Sequence, residues 1–210
     1  RSGLAAALIG AVASTASAQW TVVNLTPDGA AHSYATGVSG GRQVGYTTVG
    51  IAARASLWSG TAASWVNLHP ADATDSSASG VSGGQQVGVA YLGTVARASL
   101  WTGTAASWLD LTPAGADFSV AQGVDAGQQV GNAYLTASNA RHASLWSGTA
   151  ASWVDLPPTN PGFNSYAFSV GGGQQVGLAE VQGDEHASLW SGTAGSWVDL
   201  HPDGATTSSA

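Results

Sequence analysis

The chain contains no cysteine and no methionine, and its five cationic residues are all arginine. The lack of cysteine excludes a thiol nucleophile, a disulfide framework and a cysteine-ligated metal site, and the lack of lysine excludes a Schiff-base or phosphate-cradling lysine. Charged residues make up only 8% of the 210 residues, and the formal net charge is −7. Because non-specific nucleic-acid affinity comes from clustered Lys and Arg, this acidic balance argues against a nucleic-acid partner.

The first eighteen residues differ from the rest of the chain. An apolar run over 4–13 follows Arg1, and Ala16 and Ala18 form the small-x-small pattern that precedes signal-peptidase cleavage. The run is too short to span a bilayer. We therefore expect residues 1–18 to be either a removed secretory signal or an ordered segment used in assembly, and we expect no membrane span.

Internal repetition organises residues 19–210. The nine tryptophans fall into two series with spacings of 43 to 45 residues: Trp58, Trp101, Trp146 and Trp190; and Trp20, Trp65, Trp108, Trp153 and Trp197. A Gly-Arg-Gln-Val-Gly or Gly-Gln-Gln-Val-Gly block recurs with them, starting at Gly41, Gly84, Gly127 and Gly173. The repeats predict one domain of units of about 44 residues, at about 27–70, 71–113, 114–158 and 159–202.

Each unit has the pattern of four short strands, because β-branched and aromatic residues alternate with Gly, Ser, Asn and Pro clusters. In the first unit we predict strand A at about 33–39, strand B at 42–49, strand C at 53–58 and strand D at 64–69. Four-stranded units of this length are typical of β-propeller blades. The predicted fold is all-β: a β-propeller of four complete blades plus an incomplete fifth blade, with a β-solenoid as the alternative.

The incomplete fifth blade comes from the order of the predicted strands. A lone D-type strand at about 20–25 precedes the four units, and residues 201–210 align with residues 26–35, the start of an A strand. Three explanations remain open: a fragment of a longer propeller, a strand supplied by the leader, or chains that complete each other head to tail. Unpaired sheet edges are templates for another chain, which favours assembly.

The repeated residues also resemble a known family. The run Arg141-His142-Ala143-Ser144-Leu145-Trp146, then Asp155-Leu156, Ser-x-Ala and Gly-Gln-Gln-Val-Gly, is similar to the HAF-type extracellular repeat. Units of that family run His-Ala-Phe-Leu-Trp, Asp-Leu-Gly, Ser-x-Ala and Gly-Gln-Val-Val-Gly. The resemblance covers almost all of 19–210, although Arg54 and Arg97 replace the histidine in the first two units. It implies secretion and a propeller-like fold, and it carries no established catalytic residues.

The sequence gives no convergent catalytic or metal-binding set. Gly37-x-Ser39-x-Gly41 matches a nucleophile-elbow pattern, but it joins two predicted strands rather than a strand and a helix, so we expect a hairpin turn. An acidic or amide residue recurs at one place in strand D, at Asn24, Asn67, Asp110, Asp155 and Asp199. We expect a hydrogen bond at the blade edge there, with calcium binding as the alternative. No catalytic residue, metal site or cofactor is predicted.

The variable segments predict where a binding site would lie. The A–B and C–D turns are nearly identical between units, whereas the B–C and D–A connections differ. In an antiparallel meander these two variable sets emerge on one face, and loops on a rigid scaffold commonly carry recognition. The candidate binding residues on this face are Tyr91, Tyr134, Asn139, Arg141, Phe163 and Glu185.

Together these features predict a secreted, extracellular and non-enzymatic β-propeller. We expect a structural or interaction module that self-assembles head to tail into a homo-oligomer or filament. The alternative is a lectin-like propeller that binds carbohydrate, which the abundance of Trp and Tyr favours.

Overall fold

A computed structural model describes residues 21–158 and 163–210. The described residues form four sheets, each an antiparallel meander of four consecutive strands, as predicted for the four units. In a solenoid, strands of successive repeats would pair with one another, whereas each of these sheets holds strands of a single unit. The solenoid alternative is therefore wrong. The leader at 1–18, Trp20 and the start of the fourth unit at 159–162 lie outside the described residues.

The four sheets are named blades 1 to 4 in chain order. Blade 1 contains β1 (His32–Ser39), β2 (Arg42–Val49), β3 (Ala52–Trp58) and β4 (Val66–Asn67). Blade 2 contains β5 (Asp75–Ser82), β6 (Gln85–Leu92), β7 (Val95–Trp101) and β8 (Leu109–Asp110). Blade 3 contains β9 (Ala116–Asp125), β10 (Gln128–Leu135), β11 (Ala140–Trp146) and β12 (Val154–Asp155). Blade 4 contains β13 (Ser165–Gly171), β14 (Gln174–Val181), β15 (Asp184–Trp190) and β16 (Val198–Asp199).

The fourth strand of each blade is shorter than predicted. In blade 1 the strand covers only Val66–Asn67, and Ala62–Ser64 form a 3-10 turn ahead of it. The Ser64 hydroxyl accepts the Ser59 N–H at 2.8 Å and donates to the Thr61 carbonyl at 2.6 Å. These bonds close a tight turn, so the fourth strand begins only at Val66. The same serine contacts recur at Ser107, Ser152 and Ser196.

The segments outside the four blades are not strands. The lone strand predicted at 20–25 is absent over the described residues 21–25. Residues 205–210 also lack strand structure, yet they lie against blade 4. The Ser208 N–H donates to the Glu185 carbonyl at 2.8 Å, and the Ala210 N–H donates to the Gly177 carbonyl at 3.1 Å.

The Gly-Gln-Gln-Val-Gly block ties the two turns of a blade together. In blade 2, Gln86 is fully buried; its Nε2 donates to the Gly84 carbonyl at 2.8 Å and its Oε1 accepts the Gly103 N–H at 2.7 Å. The last glycine of the block, Gly88, has no room for a side chain, because a Cβ there would lie 2.0 Å from the Ser77 carbonyl oxygen. The repeated block is thus explained by packing within the blade.

Successive blades pack through one repeated apolar contact. We call the side of a blade that faces the preceding blade its leading face, and the opposite side its trailing face. The trailing face of blade 1 presents Val44, Ala55, Leu57 and Leu68, and the leading face of blade 2 presents Ala78, Val81, Trp101 and Trp108. The same contact joins blades 2 and 3 around Trp146 and blades 3 and 4 around Trp190.

The tryptophan of the third strand is the centre of each contact. Trp101, Trp146 and Trp190 are fully buried, and their indole N–H groups have no hydrogen-bond partner among the described residues. Apolar contact therefore holds them in place. A buried tryptophan removes about 150–250 Å² from water, which contributes roughly 4–6 kcal/mol before the entropy of ordering is subtracted.

The first strands approach one another most closely. β1, β5 and β9 each carry a bulge, and the bulged residue of one blade lies against a glycine of the preceding blade. A Cβ built on Gly80 would lie 2.9 Å from the Gln122 carbonyl oxygen, and one built on Gly37 would lie 2.8 Å from that of Ser79. Only glycine fits at this spacing without moving backbone.

We predict that Gly80→Ala lowers the free energy of unfolding by about 1–3 kcal/mol, because the added methyl group overpacks the contact between blades 2 and 3. The matched control is Gly171→Ala, since a Cβ at Gly171 meets no heavy atom within 4 Å. That change should leave stability unchanged or raise it by about 0.4–1 kcal/mol through the unfolded chain. Urea unfolding of the two variants measures the difference, and equal stabilities would contradict the close approach.

Candidate functional site

A serine at the start of each inner strand fastens it to the preceding blade. The Ser76 hydroxyl accepts the Ala55 N–H at 2.8 Å. Equivalent bonds join Ser119 to Ala98, Ser165 to Ala143 and Ser208 to Ala187. We call these four residues the docking serines. Because Ser208 makes the same bond, residues 205–210 lie on blade 4 at the place that an inner strand occupies on the other blades.

The residue two positions after the outer strand gives the docking serines Ser76, Ser119 and Ser208 a second partner. Nδ1 of His69 lies 2.7 Å from the Ser76 hydroxyl, and its Nε2 lies 3.0 Å from the Ala73 carbonyl oxygen. The Nε2 N–H of His69 donates to the Ala73 carbonyl oxygen, and the Ser76 hydroxyl donates to Nδ1 when the imidazole is neutral. Burial lowers the pKa of His69, and the hydrogen bond to Ala73 raises it by less.

At the next junction the same place is filled without a titratable group. Thr112 Oγ1 lies 2.7 Å from the Ser119 hydroxyl. On blade 4 a histidine returns: His201 Nδ1 lies 2.8 Å from the Ser208 hydroxyl. The contact to the docking serine is therefore made by a threonine, which does not titrate, at Ser119 and by a histidine at Ser76 and Ser208.

The recurring acid or amide of the outer strand makes the predicted hydrogen bond at the blade edge. Asn67 Oδ1 accepts the His69 N–H at 3.0 Å, and Asp110 Oδ1 accepts the Thr112 N–H at 2.8 Å. Asp199 Oδ1 accepts the His201 N–H at 2.9 Å. Among residues 21–158 and 163–210, no three His, Asp or Glu side chains are placed to hold a metal ion.

Asp199 has further partners on blade 4. Its Oδ2 lies 2.8 Å from His186 Nδ1, and the His186 ring stacks on His201 with centroids 4.0 Å apart. Burial raises the pKa of Asp199, but hydrogen bonds from the His186 side chain and the His201 backbone outweigh it and lower the pKa below its usual value.

One cluster on blade 3 has the order of groups found in serine hydrolases. Nδ1 of the buried His142 lies 2.9 Å from both carboxylate oxygens of Asp155, and its Nε2 lies 3.0 Å from the Ser138 hydroxyl. A hydrolase also needs N–H donors for the oxyanion. The N–H groups of Ser138 and Asn139 donate within their own turn, to Leu135 and Thr136.

The same pairing recurs at equivalent positions without a serine. Arg97 lies 4.0 Å from Asp110 in blade 2, and His186 pairs with Asp199 in blade 4. The His142–Asp155 contact is thus one case of a repeated link between the third and fourth strands. We read it as structural.

Three predicted loop-face residues come together on blade 3. The Tyr134 ring stacks on Phe118 with centroids 4.8 Å apart, and its hydroxyl donates to Asn139 Oδ1 at 2.7 Å. The Arg141 guanidinium lies over the Phe118 ring, 5.0 Å from its centroid. Phe118 was absent from the predicted set, because its place beside Tyr134 depends on strand register. The polar and aromatic groups of this cluster contact one another.

The other three predicted residues lie apart from this cluster. Tyr91 on blade 2 is 38% exposed and lines a cavity of about 250 Å³ with Tyr46 and Asp75, between blades 1 and 2. Glu185 is exposed on blade 4, and Phe163 is half-buried ahead of β13. The third-strand tryptophans are fully buried and offer no stacking surface to a sugar. Carbohydrate binding stays a prediction that depends on the tyrosines.

The bond that each docking serine makes to the preceding blade was not predicted from the sequence. A signal was present, because a serine stands at the same place in every unit, at Ser33, Ser76, Ser119, Ser165 and Ser208. Nothing in the spacing shows that its partner is the neighbouring blade, so only the tertiary contacts identify its role.

Comparison with known proteins identifies the architecture. No protein-family model matches the chain, and no curated protein matches its sequence. The crystal structure of TolB from Acinetobacter baumannii, a β-propeller, is similar to it, with a TM-score of 0.58 at 12% identity. The chain is a β-propeller. The match covers 83% of this chain but 44% of TolB, so this propeller spans less than half of the TolB length.

At this identity the likeness to TolB shows the fold alone. The resemblance to HAF-type repeats stays a prediction. In the described part of the propeller, no helix is both long enough and apolar enough to cross a membrane.

We predict that the junction between blades 1 and 2 is sensitive to acid. Burial lowers the folded-state pKa of His69 below its usual 6.5, so the unfolded chain binds more protons as the pH falls through that range. The stability from His69 is therefore present above about pH 6.5 and lost on acidification. His69→Thr, which copies Thr112, should reduce the loss of unfolding free energy between pH 7.5 and pH 5.

Urea titrations at the two pH values measure this effect, and the other histidines act equally in both proteins. Thr112→His is the converse variant and should add acid sensitivity at the next junction. A wild-type chain and a His69→Thr variant with the same pH dependence would contradict the assignment.

Proposed function

We propose that this chain is an extracellular, non-enzymatic β-propeller that acts as a structural module, and that its copies associate head to tail. The observation that carries the proposal is that the inner strand of blade 1 and the trailing face of blade 4 each expose residues whose equivalents are buried in the contacts between blades. Secretion is supported by the signal-like pattern of 1–18 and by the resemblance to extracellular repeats.

The leading face of blade 1 is open along its inner strand. Val38 is 73% exposed, whereas the equivalent Val81, Val124 and Val170 are 8–9% exposed against the preceding blade. Ala35 on the same strand is exposed, whereas the equivalent Ala78, Ala121 and Ala167 are buried against the preceding blade. Trp58, further out in this blade, is fully buried, so the open surface is the strip along β1.

The trailing face of blade 4 is open in the matching way. Leu200 is 43% exposed, although its equivalents Leu68, Leu111 and Leu156 are fully buried by the next blade. Val176 and Leu189 are half-buried, where the corresponding residues of the other blades are buried. Both faces are apolar and lack charge at their centres, as the internal contacts do.

A second copy fits this site by continuity with the internal contacts. The leading face of one copy carries the residue types that pack on each trailing face within the chain. Residues 206–210 hold the place of the first residues of an incoming β1, through Ser208 and Ala210. They contain no equivalent of Val38, so a full inner strand buries more apolar surface than the segment it replaces. Such a contact is heterologous and extends into rings or filaments.

Two features support a non-catalytic role. The residues that repeat in every unit are used in turns and in contacts between blades. The Ser138–His142–Asp155 cluster lies beside N–H groups that are already bonded within its turn. The proposal therefore assigns the molecule to scaffolding rather than to chemistry.

We expect sedimentation velocity of the 210-residue chain to show association that increases with concentration. Val38→Asp should abolish it, because a carboxylate would be buried at the contact, and so should Leu200→Asp on the opposite face. Each variant keeps one intact face, so an equimolar mixture of the two should form a one-to-one complex that does not grow further.

Ile51→Asp is the control, since Ile51 is fully exposed in the turn between β2 and β3 and outside both faces. It should associate as the wild type does. Circular dichroism of every variant verifies folding. A wild-type chain that stays monomeric at all concentrations, or a Val38→Asp variant that assembles normally, would overturn the proposal.

A further inference from the structure

Blade 4 differs from the other blades at the position where inner strands approach most closely. Blades 1, 2 and 3 have Gly37, Gly80 and Gly123 there, and blade 4 has Ser169. We infer that Ser169 makes the trailing face of blade 4 a looser joint than the three joints inside the chain, so that association with a second copy is weak and reversible. This inference rests on the proposed function.

The spacing at the internal joints leaves no room for a side chain. A Cβ on Gly123 would lie 2.9 Å from the Phe168 carbonyl oxygen and 3.1 Å from Ser169 Cα. Real Cβ atoms do not approach backbone this closely, so either strand would have to move. Phe168 is the bulged residue of β13, and the same bulge places the Ser79 and Gln122 carbonyls against Gly37 and Gly80.

Ser169 presents a Cβ and a hydroxyl at this place, and it is exposed. β1 of a second copy also has its bulge, at Thr36, between Ala35 and Gly37. If that strand docked at the internal spacing, its Thr36 carbonyl would lie against the Ser169 Cβ. The incoming strand must therefore lie farther from β13 at Ser169. As a result, its Val38 loses part of its contact with the trailing face.

Residues 208–210 already lie on part of the trailing face of blade 4. Ser208 and Ala210 bond to Ala187 and Gly177. These two residues are in register with the part of β13 that precedes Ser169. Residues 208–210 align with Ser33–Ala35, which precede the bulged Thr36. The first residues of an inner strand can therefore dock in the presence of Ser169, and only the contact at the bulge is affected.

The test compares Ser169→Gly with Ser169→Ala by sedimentation velocity. Ser169→Gly should lower the dissociation constant of self-association by about tenfold or more, because it restores the clearance of the internal joints. Ser169→Ala keeps the Cβ and should associate like the wild type. Gly123→Ser is the internal counterpart: it should lower the urea midpoint of unfolding, whereas Ser169→Gly should not raise it.

The outcomes separate this inference from the proposed function. Association of the wild type with no gain in Ser169→Gly overturns the inference alone. A gain shared equally by Ser169→Ala also overturns it, because the hydroxyl rather than the Cβ would then set the affinity. A monomeric wild type with an associating Ser169→Gly supports the inference and overturns the proposed function. If neither protein associates at any concentration, both are overturned.

Discussion

Burial of one tryptophan per blade against the preceding blade is the interaction on which the rest of the structure depends. Trp101, Trp146 and Trp190 fill the space between sheets that share no backbone ladder. Each blade alone would leave an apolar face in water, so the blades are stable only in series. The inner strands also approach one another closely, at Gly80 and Gly123.

Hydrogen bonds between blades and within each blade add to this apolar contact. Docking serines such as Ser76 direct the inner strand onto the preceding blade, while a neighbouring His69 or Thr112 completes the bond. Buried glutamines such as Gln86 link the turns within a blade. Since the docking serines and the buried glutamines are repeated, similar surfaces recur at the three joints between the described blades, and the trailing face of blade 4 presents one side of such a contact. This is the physical basis for association between copies.

Much of the fold could be predicted from the sequence, because hydrophobic alternation and turn residues are local. The first three strands of blade 1 were predicted within one residue, at 33–39, 42–49 and 53–58. The fourth strand was predicted too long, since the bonds of Ser64 that close the 3-10 turn have no distinctive local pattern. Of the loop-face candidates, Tyr134, Asn139 and Arg141 meet, but Tyr91 lies one blade away.

The sequence by itself determined the number of units, their strands and the sheet class, because tandem copies repeat a local pattern of apolar, small and turn residues. Only the tertiary structure decided which residues matter between blades. Val38 and Val81 occupy the same place in their units, yet one is exposed and the other buried. Gly123 and Ser169 occupy equivalent positions, and the clearance for a side chain at Gly123 is set by a carbonyl oxygen of the next blade. Burial and clearance depend on neighbours distant in sequence, which a local pattern does not encode.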